Sequence, residues 1–322
     1  MTKVESLWFV EKHHAQLRSE TLPNLENGDC RIQAICSSVS PGTERLVLCG
    51  GIPRELHQQM RCPHMGGSFD FPVKYGYSLV GKVTEGPSTL VGKVVHVLHP
   101  HQEICQVAAQ DVFTVPPGVT SSRASLASNM ETAVTAIWDG SVEVGDRVLV
   151  VGFGIIGSLV ARVASLIAGV DVDVYEVCEQ KKALARAMGF EVVEELQTYD
   201  VAFHCSASQS GLQTAIESVG FEGTIVELSW YGVRNISINL GTTFHSMRKQ
   251  IICSQVSNIP SRKKNRWDYQ RRKQIVFALL KNAIFDSHIT HEVSFKDLAN
   301  TFNKNDFINS GLAFLVNYNK GE

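Results

Sequence analysis

The sequence predicts an α/β protein in two parts: a β-rich domain of short strands and a domain built on a doubly wound parallel sheet. Three features predict it. Residues 147–169 read RVLVVGFGIIGSLVARVASLIAG, an aliphatic run, a glycine-rich turn and a helix-compatible run in succession. From about residue 121, strand-like and helix-like runs alternate. Before residue 120 the apolar runs are short and broken by glycine and proline.

In the 147–169 stretch, residues 147–151 are mostly aliphatic or β-branched, which suits a strand buried on both faces. GFGIIG follows, with Gly152, Gly154 and Gly157, and then a helical run over 158–168 closed by Gly169. Strand, glycine turn and helix form the context in which GxGxxG signals a dinucleotide site. Gly152 permits the tight turn, Gly154 lets the backbone approach a pyrophosphate, and Gly157 lets the helix lie close to the sheet. Helix N–H groups and the positive dipole end face the phosphates, which adds Ile155 and Ile156 to the expected contacts. The next strand, over 172–177, contains Glu176, 24 positions after Gly152 (176 − 152). A carboxylate there bonds a ribose hydroxyl and repels a 2′-phosphate, favouring NAD over NADP. Lys181 and Lys182 weaken that preference, so NADP stays open.

The rest of the chain follows in order. Residues 7–10, 31–37, 76–83 and 93–98 are strand-like, separated by Pro41-Gly42, Gly50-Gly51, Gly66-Gly67, Gly86-Pro87 and Pro116-Pro117-Gly118. Residues 121–138 carry helical spacing through Leu126, Met130, Ala133, Val134 and Ile137. Strands are expected over 200–204, 223–228 and 251–254, with a helix over 210–219 between the first two. Residues 261–273, SRKKNRWDYQRRK, hold seven basic residues and one acidic, and read as a solvated loop. A helix over 268–283, a short amphipathic helix over 295–302 and a closing strand over 312–316 complete the pattern. The expected division is 1–120 with 256–322 as one domain and 121–255 as the dinucleotide domain.

Bulk properties exclude several classes. With 322 residues, 44% hydrophobic content and a net charge of −2, the chain has ample core and no global field for nucleic acid or membrane. The longest mostly apolar stretch, 148–161, is too short and glycine-rich to span a bilayer. The N-terminus lacks the pattern of a signal peptide. Eight cysteines without a CxxC pair suggest reduced thiols in a cytoplasmic protein.

The order of domains and three local stretches resemble the medium-chain dehydrogenase/reductase superfamily across the whole chain. SSVSPGTERL (37–46) resembles the loop bearing a catalytic zinc cysteine, FPVKYGYSLVGKV (71–83) the segment with GHE, and GDRVLVVGFGIIG (145–157) the start of the nucleotide fold. The resemblance implies a GroES-like catalytic domain beside a Rossmann domain, with a homodimer by analogy. Ser40 stands at the cysteine position, Tyr77 and Ser78 at the histidine and glutamate of GHE, and Ser128 at the third ligand. Zinc needs N, S or O ligands, three from protein at a catalytic site; two serines and a phenol hold it poorly, so no metal is expected. GTE and YGYSLVG look most like a zinc-lacking branch that includes bacteriochlorophyllide dehydrogenases.

Without zinc, a side chain must handle the proton at the substrate oxygen. Tyr77 is the first candidate, a phenol able to donate to a developing alkoxide, or a structural ring beside Tyr75. Lys74 is the nearby cation that would help it act as a base. Ser40 and Thr43 could orient the oxygen or bond their own turn, and Glu44 could pair with Arg45. His99 and His101 in LHPHQ titrate near neutrality, with satisfied surface histidines as the alternative. Glu131 interrupts an apolar helical face and could act as acid or base, or cap its helix. The resemblance places Thr132 beside the nicotinamide, and Cys205, just past its strand, joins the expected cofactor contacts. The expected activity is alcohol/carbonyl interconversion on a small substrate, anionic or ring-bearing. The alternatives are a quinone/enoyl-type double-bond reductase and a non-catalytic NAD(H)-binding protein.

Overall fold

The computed structural model describes residues 2–304 and 311–318. The chain forms two compact units, one of residues 1–128 and 273–322, the other of residues 129–272. The change of sequence style near residue 121 marks helices Ser121–Ala124 and Ala127–Gly140 rather than the division itself. Ser121–Ala124 is held to the first unit by Arg123, whose Nη1 donates to the carbonyls of Leu280 and Lys281.

The second unit holds six parallel strands: Arg147–Val151, Asp171–Tyr175, Glu191–Val192, Tyr199–His204, Val219–Glu227 and Gln250–Cys253. Numbered in chain order, they lie 3-2-1-4-5-6. Chain direction across the sheet reverses between the first strand and the fourth, and ligands of open α/β sheets bind at the carboxyl ends of strands at such a point. Val148 to Val151 are all buried, as expected of a strand covered on both faces. Leu149, Val151, Ala202 and Ile225 join Leu212, Ala215 and Ile216 of helix Gln209–Ser218 in one core cluster.

The helix after the glycine turn runs Ile155–Ser165 with Gly154 as its N-cap. It begins three residues before the stretch read from the sequence, so Gly157 lies within its first turn. The following strand is Asp171–Tyr175, which leaves Glu176 just beyond its end rather than inside it.

The first unit contains a seven-stranded sheet and a four-stranded one. The long strand Asp29–Val39 organises the larger. It pairs antiparallel with Leu79–Glu85, Ile104–Ala108 and the C-terminal strand Ala313–Asn317. Cys30, Ile32, Leu79, Val95, Val97 and Cys105 fill its apolar side.

Two sequence readings need correction here. SPGTERL is a helix, Pro41–Leu48, rather than a loop or turn. Proline suits the first helical position because its missing N–H has no intrahelical role there, and Glu44 Oε1 accepts from the N–H of the N-cap Ser40 at 2.8 Å, satisfying a donor at the helix start. His99 and His101 are buried, not surface residues, because the chain after Val94–Val97 turns inward.

Candidate active site

The geometry of the glycine turn follows from its three glycines. Gly152 has φ of +97°, and a Cβ on it would fall 2.8 Å from the N, Cα and Cβ of Ser206. A Cβ on Gly157 would fall 1.9 Å from the carbonyl oxygen of Gly152, so only glycine permits this approach of helix to turn. Gly154 differs: nothing lies within 4 Å of the Cβ position. That open space above a helix N-terminus is a cradle for a pyrophosphate. Ile155 and Ile156 are the first two residues of the helix. Glu176 stands beside the turn, its Oε2 accepting from Phe153 N–H at 2.7 Å and its Oε1 from the N–H groups of Val177 and Cys178 at 2.7 and 2.8 Å. Of the two lysines that complicate cofactor choice, Lys182 is engaged by Glu179 at 2.8 Å.

Cys205 follows strand Tyr199–His204, with its Cβ 3.3 Å from the Cβ position of Gly157; burial, then the charge of Glu227, pushes its thiol up, so it stays protonated. Thr132 is half-buried on helix Ala127–Gly140. Glu131, one position earlier, is not a free acid. Its Oε1 lies 3.2 Å from Nε of Arg272, both side chains are buried, and Arg272 also donates to Thr135 Oγ1 and the Val256 carbonyl. This ion pair removes Glu131 from the candidates for proton transfer and shows that Arg272, read as part of a solvated basic loop, is interior.

The first unit assembles a hydroxyl cluster. Tyr77 is half-buried, with the side chains of Ser40 and Thr43 near its phenol. Burial, then the charge of Glu44, raises its phenol far above the ordinary value, outweighing the opposing influence of those two side chains. A phenol in that state is a proton donor at neutral pH. Tyr75 meets the Tyr77 ring edge-on, with centroids 6.0 Å apart. Lys74 is not beside Tyr77 as a helper cation; its ammonium bonds Glu20 Oε2 at 2.7 Å and Gln102 Oε1 at 3.0 Å.

Behind these hydroxyls runs a buried chain. Glu44 Oε2 lies 3.0 Å from His101 Nε2, with both side chains 1% exposed. His101 Nδ1 lies 2.7 Å from Ser37 Oγ, which lies 3.0 Å from the Tyr318 hydroxyl. Glu44 thus partners His101. Ser37 and Tyr318 were not legible as site residues; nothing local in the sequence links positions 37, 101 and 318. His99 stands apart, stacked on His64 at 5.4 Å with Nδ1 bonded to the Pro100 carbonyl.

The positions that the sequence resemblance matches to zinc ligands hold committed hydroxyls. Ser128 Oγ donates to the Tyr77 carbonyl at 2.8 Å and lies 3.3 Å from His96 Nε2. Ser78 Oγ donates to the Ser125 carbonyl at 2.6 Å and lies 3.1 Å from the same nitrogen. Ser40 lies beside the Tyr77 phenol. None of Ser40, Tyr77 and Ser128 is itself a thiolate or an imidazole, and serine and phenol oxygens are poor zinc donors. These residues do not fit a zinc ion. Among the described residues, no group of three or more His, Cys, Asp or Glu is placed to hold a metal.

A β-rich GroES-like unit together with a Rossmann unit of order 3-2-1-4-5-6 is the fold of the medium-chain alcohol dehydrogenases. Solved structures of that fold align over nearly the whole chain. A short chain alcohol dehydrogenase of E. coli CFT073 complexed with NADH matches with a TM-score of 0.79 at 15% identity, covering 99% of this chain and 100% of its own. 2R,3R-butanediol dehydrogenase of Bacillus subtilis gives 0.78 at 17% identity, covering 98% and 100%. L-idonate 5-dehydrogenase of Escherichia coli gives 0.79 at 16%, covering 98% and 99%. By sequence, the chain is 26% identical over 183 residues to D-guloside 3-dehydrogenase of Escherichia coli K12 and of Shigella flexneri. That alignment takes in 52% of this chain, which spans about half the length of the curated relatives it matches. No family model matches the sequence.

Proposed function

We propose that this chain is a zinc-independent, NAD(P)(H)-dependent oxidoreductase that interconverts an alcohol and a carbonyl by hydride transfer. The dinucleotide half of the reading rests on the cradle at Gly154 and on Glu176, which favours NAD. When bound, the nicotinamide supplies or accepts the hydride. The observation that carries the chemical half is Tyr77, a phenol held protonated beside Ser40 and Thr43, at positions that the sequence resemblance matches to metal ligands.

In the reducing direction the substrate oxygen gains negative charge as the carbonyl carbon gains hydrogen. Tyr77 donates its proton to that oxygen, and Ser40 and Thr43 hold the phenol in one orientation and bond the phenolate left behind. In the oxidising direction the same phenolate recovers the proton. The buried Glu44–His101–Ser37 chain fixes the helix that carries Ser40 and Thr43, and Glu44 adds the charge that keeps the phenol protonated.

The relatives named for a guloside, idonate and butanediol favour a secondary alcohol or ketone of a small polyhydroxylated molecule over double-bond reduction. The reading includes a cytoplasmic location, supported by cysteine usage without a CxxC pair, and a homodimer by analogy. None of the eight cysteines is disulfide-bonded, and among the described residues no helix is long and apolar enough to cross a membrane. The deciding experiment incubates chelator-treated protein with C4-deuterated NADH and a carbonyl panel. Deuterium on the carbinol carbon, with no metal bound, is expected. Nucleotide binding without turnover on any carbonyl or alcohol would leave a cofactor-binding protein instead, and a turnover that requires stoichiometric zinc would remove the role of Tyr77.

A further inference from the structure

The basic run that follows the sixth parallel strand takes no part in the chemistry above. It leaves the sheet at the carboxyl end of Gln250–Cys253, and the Tyr269 hydroxyl donates to the Ser257 carbonyl at 2.7 Å, folding the run back on itself. Arg262, Lys264, Arg266 and Arg271 are exposed, and Lys263 is half-buried. These cations are built around two half-buried indoles, Trp138 and Trp267, whose ring centroids are 4.8 Å apart. The Arg271 guanidinium lies 4.0 Å from the Trp267 centroid, and the Lys263 ammonium lies 5.3 Å from that of Trp138 and 5.9 Å from that of Trp267. Arg262 Nη2 donates to the Trp138 carbonyl and Arg271 Nη1 to the Arg266 carbonyl. Each of these guanidinium groups is thus fixed through one nitrogen and keeps further N–H donors. The Arg266 side chain bonds none of the described residues.

The cluster repels itself. Burial, and then the charges of Arg262, Arg266 and Arg271, hold the Lys263 ammonium below its ordinary value, and no carboxylate opposes them. The neighbouring acids do not answer that charge. Asp268 Oδ1 accepts from the Arg271 backbone N–H at 2.7 Å, at the start of the helix. Burial raises the Asp139 carboxyl, outweighing the opposing influence of Ser254 and of the Arg262 charge. Elsewhere in this unit Arg248 pairs with Glu222 and Arg272 with Glu131. Among the described residues, none of Arg262, Lys263, Lys264, Arg266 and Arg271 has such a partner. Like charges gathered without a counter-charge destabilise the fold that carries them, and a bound anion removes that penalty.

The side chains select among anions. Three of the four converging groups are guanidiniums, whose planar fork matches the paired oxygens of a phosphate or carboxylate. Several positive charges in one place favour a multiply charged phosphate over a single carboxylate. Nucleic acid strands bind by stacking bases on open aromatic faces, whereas these indoles face each other and the cations. Strand order sets the place. The sixth strand is the sheet edge, three places from the first, or about 14 Å at ~4.8 Å per strand. Glu176, beside which an NADP 2′-phosphate would lie, follows the second strand, on the other side of the first. We propose that Arg262, Lys263, Arg266 and Arg271 form a binding site for the phosphate groups of a small, multiply charged ligand, apart from the dinucleotide cradle. The site does not depend on the dinucleotide reading.

The probe is inorganic pyrophosphate, titrated calorimetrically at constant ionic strength into Gly154→Ala protein, whose cradle is filled by the added methyl. Arg266→Gln in that background should bind pyrophosphate about tenfold more weakly, the worth of one charge-assisted hydrogen bond, and Arg266→Lys, which keeps the charge and loses the fork, should recover part of the loss. Without ligand, Arg266→Gln should melt at or above its parent, because it removes repulsion and breaks no bond; a merely structural arginine gives the opposite sign. Pyrophosphate should raise the melting temperature of the parent more than that of the variant. In the otherwise wild-type chain, Arg266→Gln should bind NADH within about twofold of wild type. Absence of pyrophosphate binding, equal binding by parent and variant, or an unliganded variant that melts well below its parent overturns the site. A parallel loss of NADH affinity assigns these residues to the dinucleotide and also overturns it. An oligothymidylate or phosphatidylserine vesicles that bind tighter than pyrophosphate, and through Arg266, overturn the small-ligand assignment in favour of a polymer or membrane surface. Wild-type protein that fails to bind NADH but binds pyrophosphate through Arg266 leaves this site standing and removes the dinucleotide reading alone.

Discussion

Gly154 and Gly157 lie three residues apart in one motif, and the structure separates what each is for. An alanine methyl at Gly157 would sit 1.9 Å from the Gly152 carbonyl oxygen, 3.1 Å from the carbonyl carbon and 3.3 Å from Cys205 Cβ. Two of the three obstacles are backbone, so relief requires the helix to move away from the sheet. Overpacking of this kind costs about 2–4 kcal/mol, or a fall in melting temperature of about 5–10 °C for the unit concerned. At Gly154 the Cβ position is open and φ is −81°, accessible to any residue. The stability cost there is only that of a poorer N-cap, about 0.5–1 kcal/mol. The same methyl, however, fills the cradle, and nucleotide affinity should fall at least about tenfold. Scanning calorimetry of the free protein and titration with NADH give the two readouts. The expected pattern is Gly157→Ala unstable and Gly154→Ala stable but blind to nucleotide. A Gly154→Ala protein that binds NADH as wild type does would show that no ligand approaches the turn at that glycine.

Three further outcomes follow from the side chains. Tyr77→Phe should lower kcat for carbonyl reduction about 10²–10⁴-fold at unchanged NADH affinity; because the phenol is raised, wild-type reduction should show no loss through Tyr77 ionisation up to pH 10, and steady-state rates against pH check both. Arg272→Ala leaves the Glu131 carboxylate buried without its guanidinium and should destabilise by about 3–5 kcal/mol, whereas Arg272→Ala with Glu131→Gln should recover part of that in denaturant melts. Burial, with the charge of Lys273 added at His96, lowers His96 well below its ordinary value, and burial lowers His99 to about 3. A base with a depressed folded-state pKa binds fewer protons folded than unfolded. Stability is therefore fully present above the unfolded value near 6.5 and is lost as pH falls below it, at up to about 1.4 kcal/mol per pH unit per histidine. Chemical denaturation between pH 7 and 4.5 should show this slope, reduced in His99→Asn.

What was legible in the chain depended on distance along it. The glycine turn is local: strand, turn, helix and the acid at 176 lie within 30 residues, and each has a backbone reason to be where it is. The helix at Pro41–Leu48 was hidden because Pro-Gly reads as a turn unless the N-cap serine and the reaching Glu44 are weighed with it. Glu131 looked available because its partner, Arg272, lies 141 positions away in what reads as a solvated run. Tyr318 joins Ser37 because strand Ala313–Asn317 pairs Asn317 with Cys36, a register no local pattern announces. Had cysteine and histidine simply drifted away from a metal site, unpaired polar atoms would be expected at the substituted positions. Instead Ser128 bonds the Tyr77 carbonyl, Ser78 bonds the Ser125 carbonyl, and Ser78 and Ser128 share His96. Each hydroxyl has a partner that a thiolate or a metal-bound imidazole could not serve in the same way. The reading of Tyr77 as the proton donor rests on these partners of the serine hydroxyls and on the raised, protonated phenol.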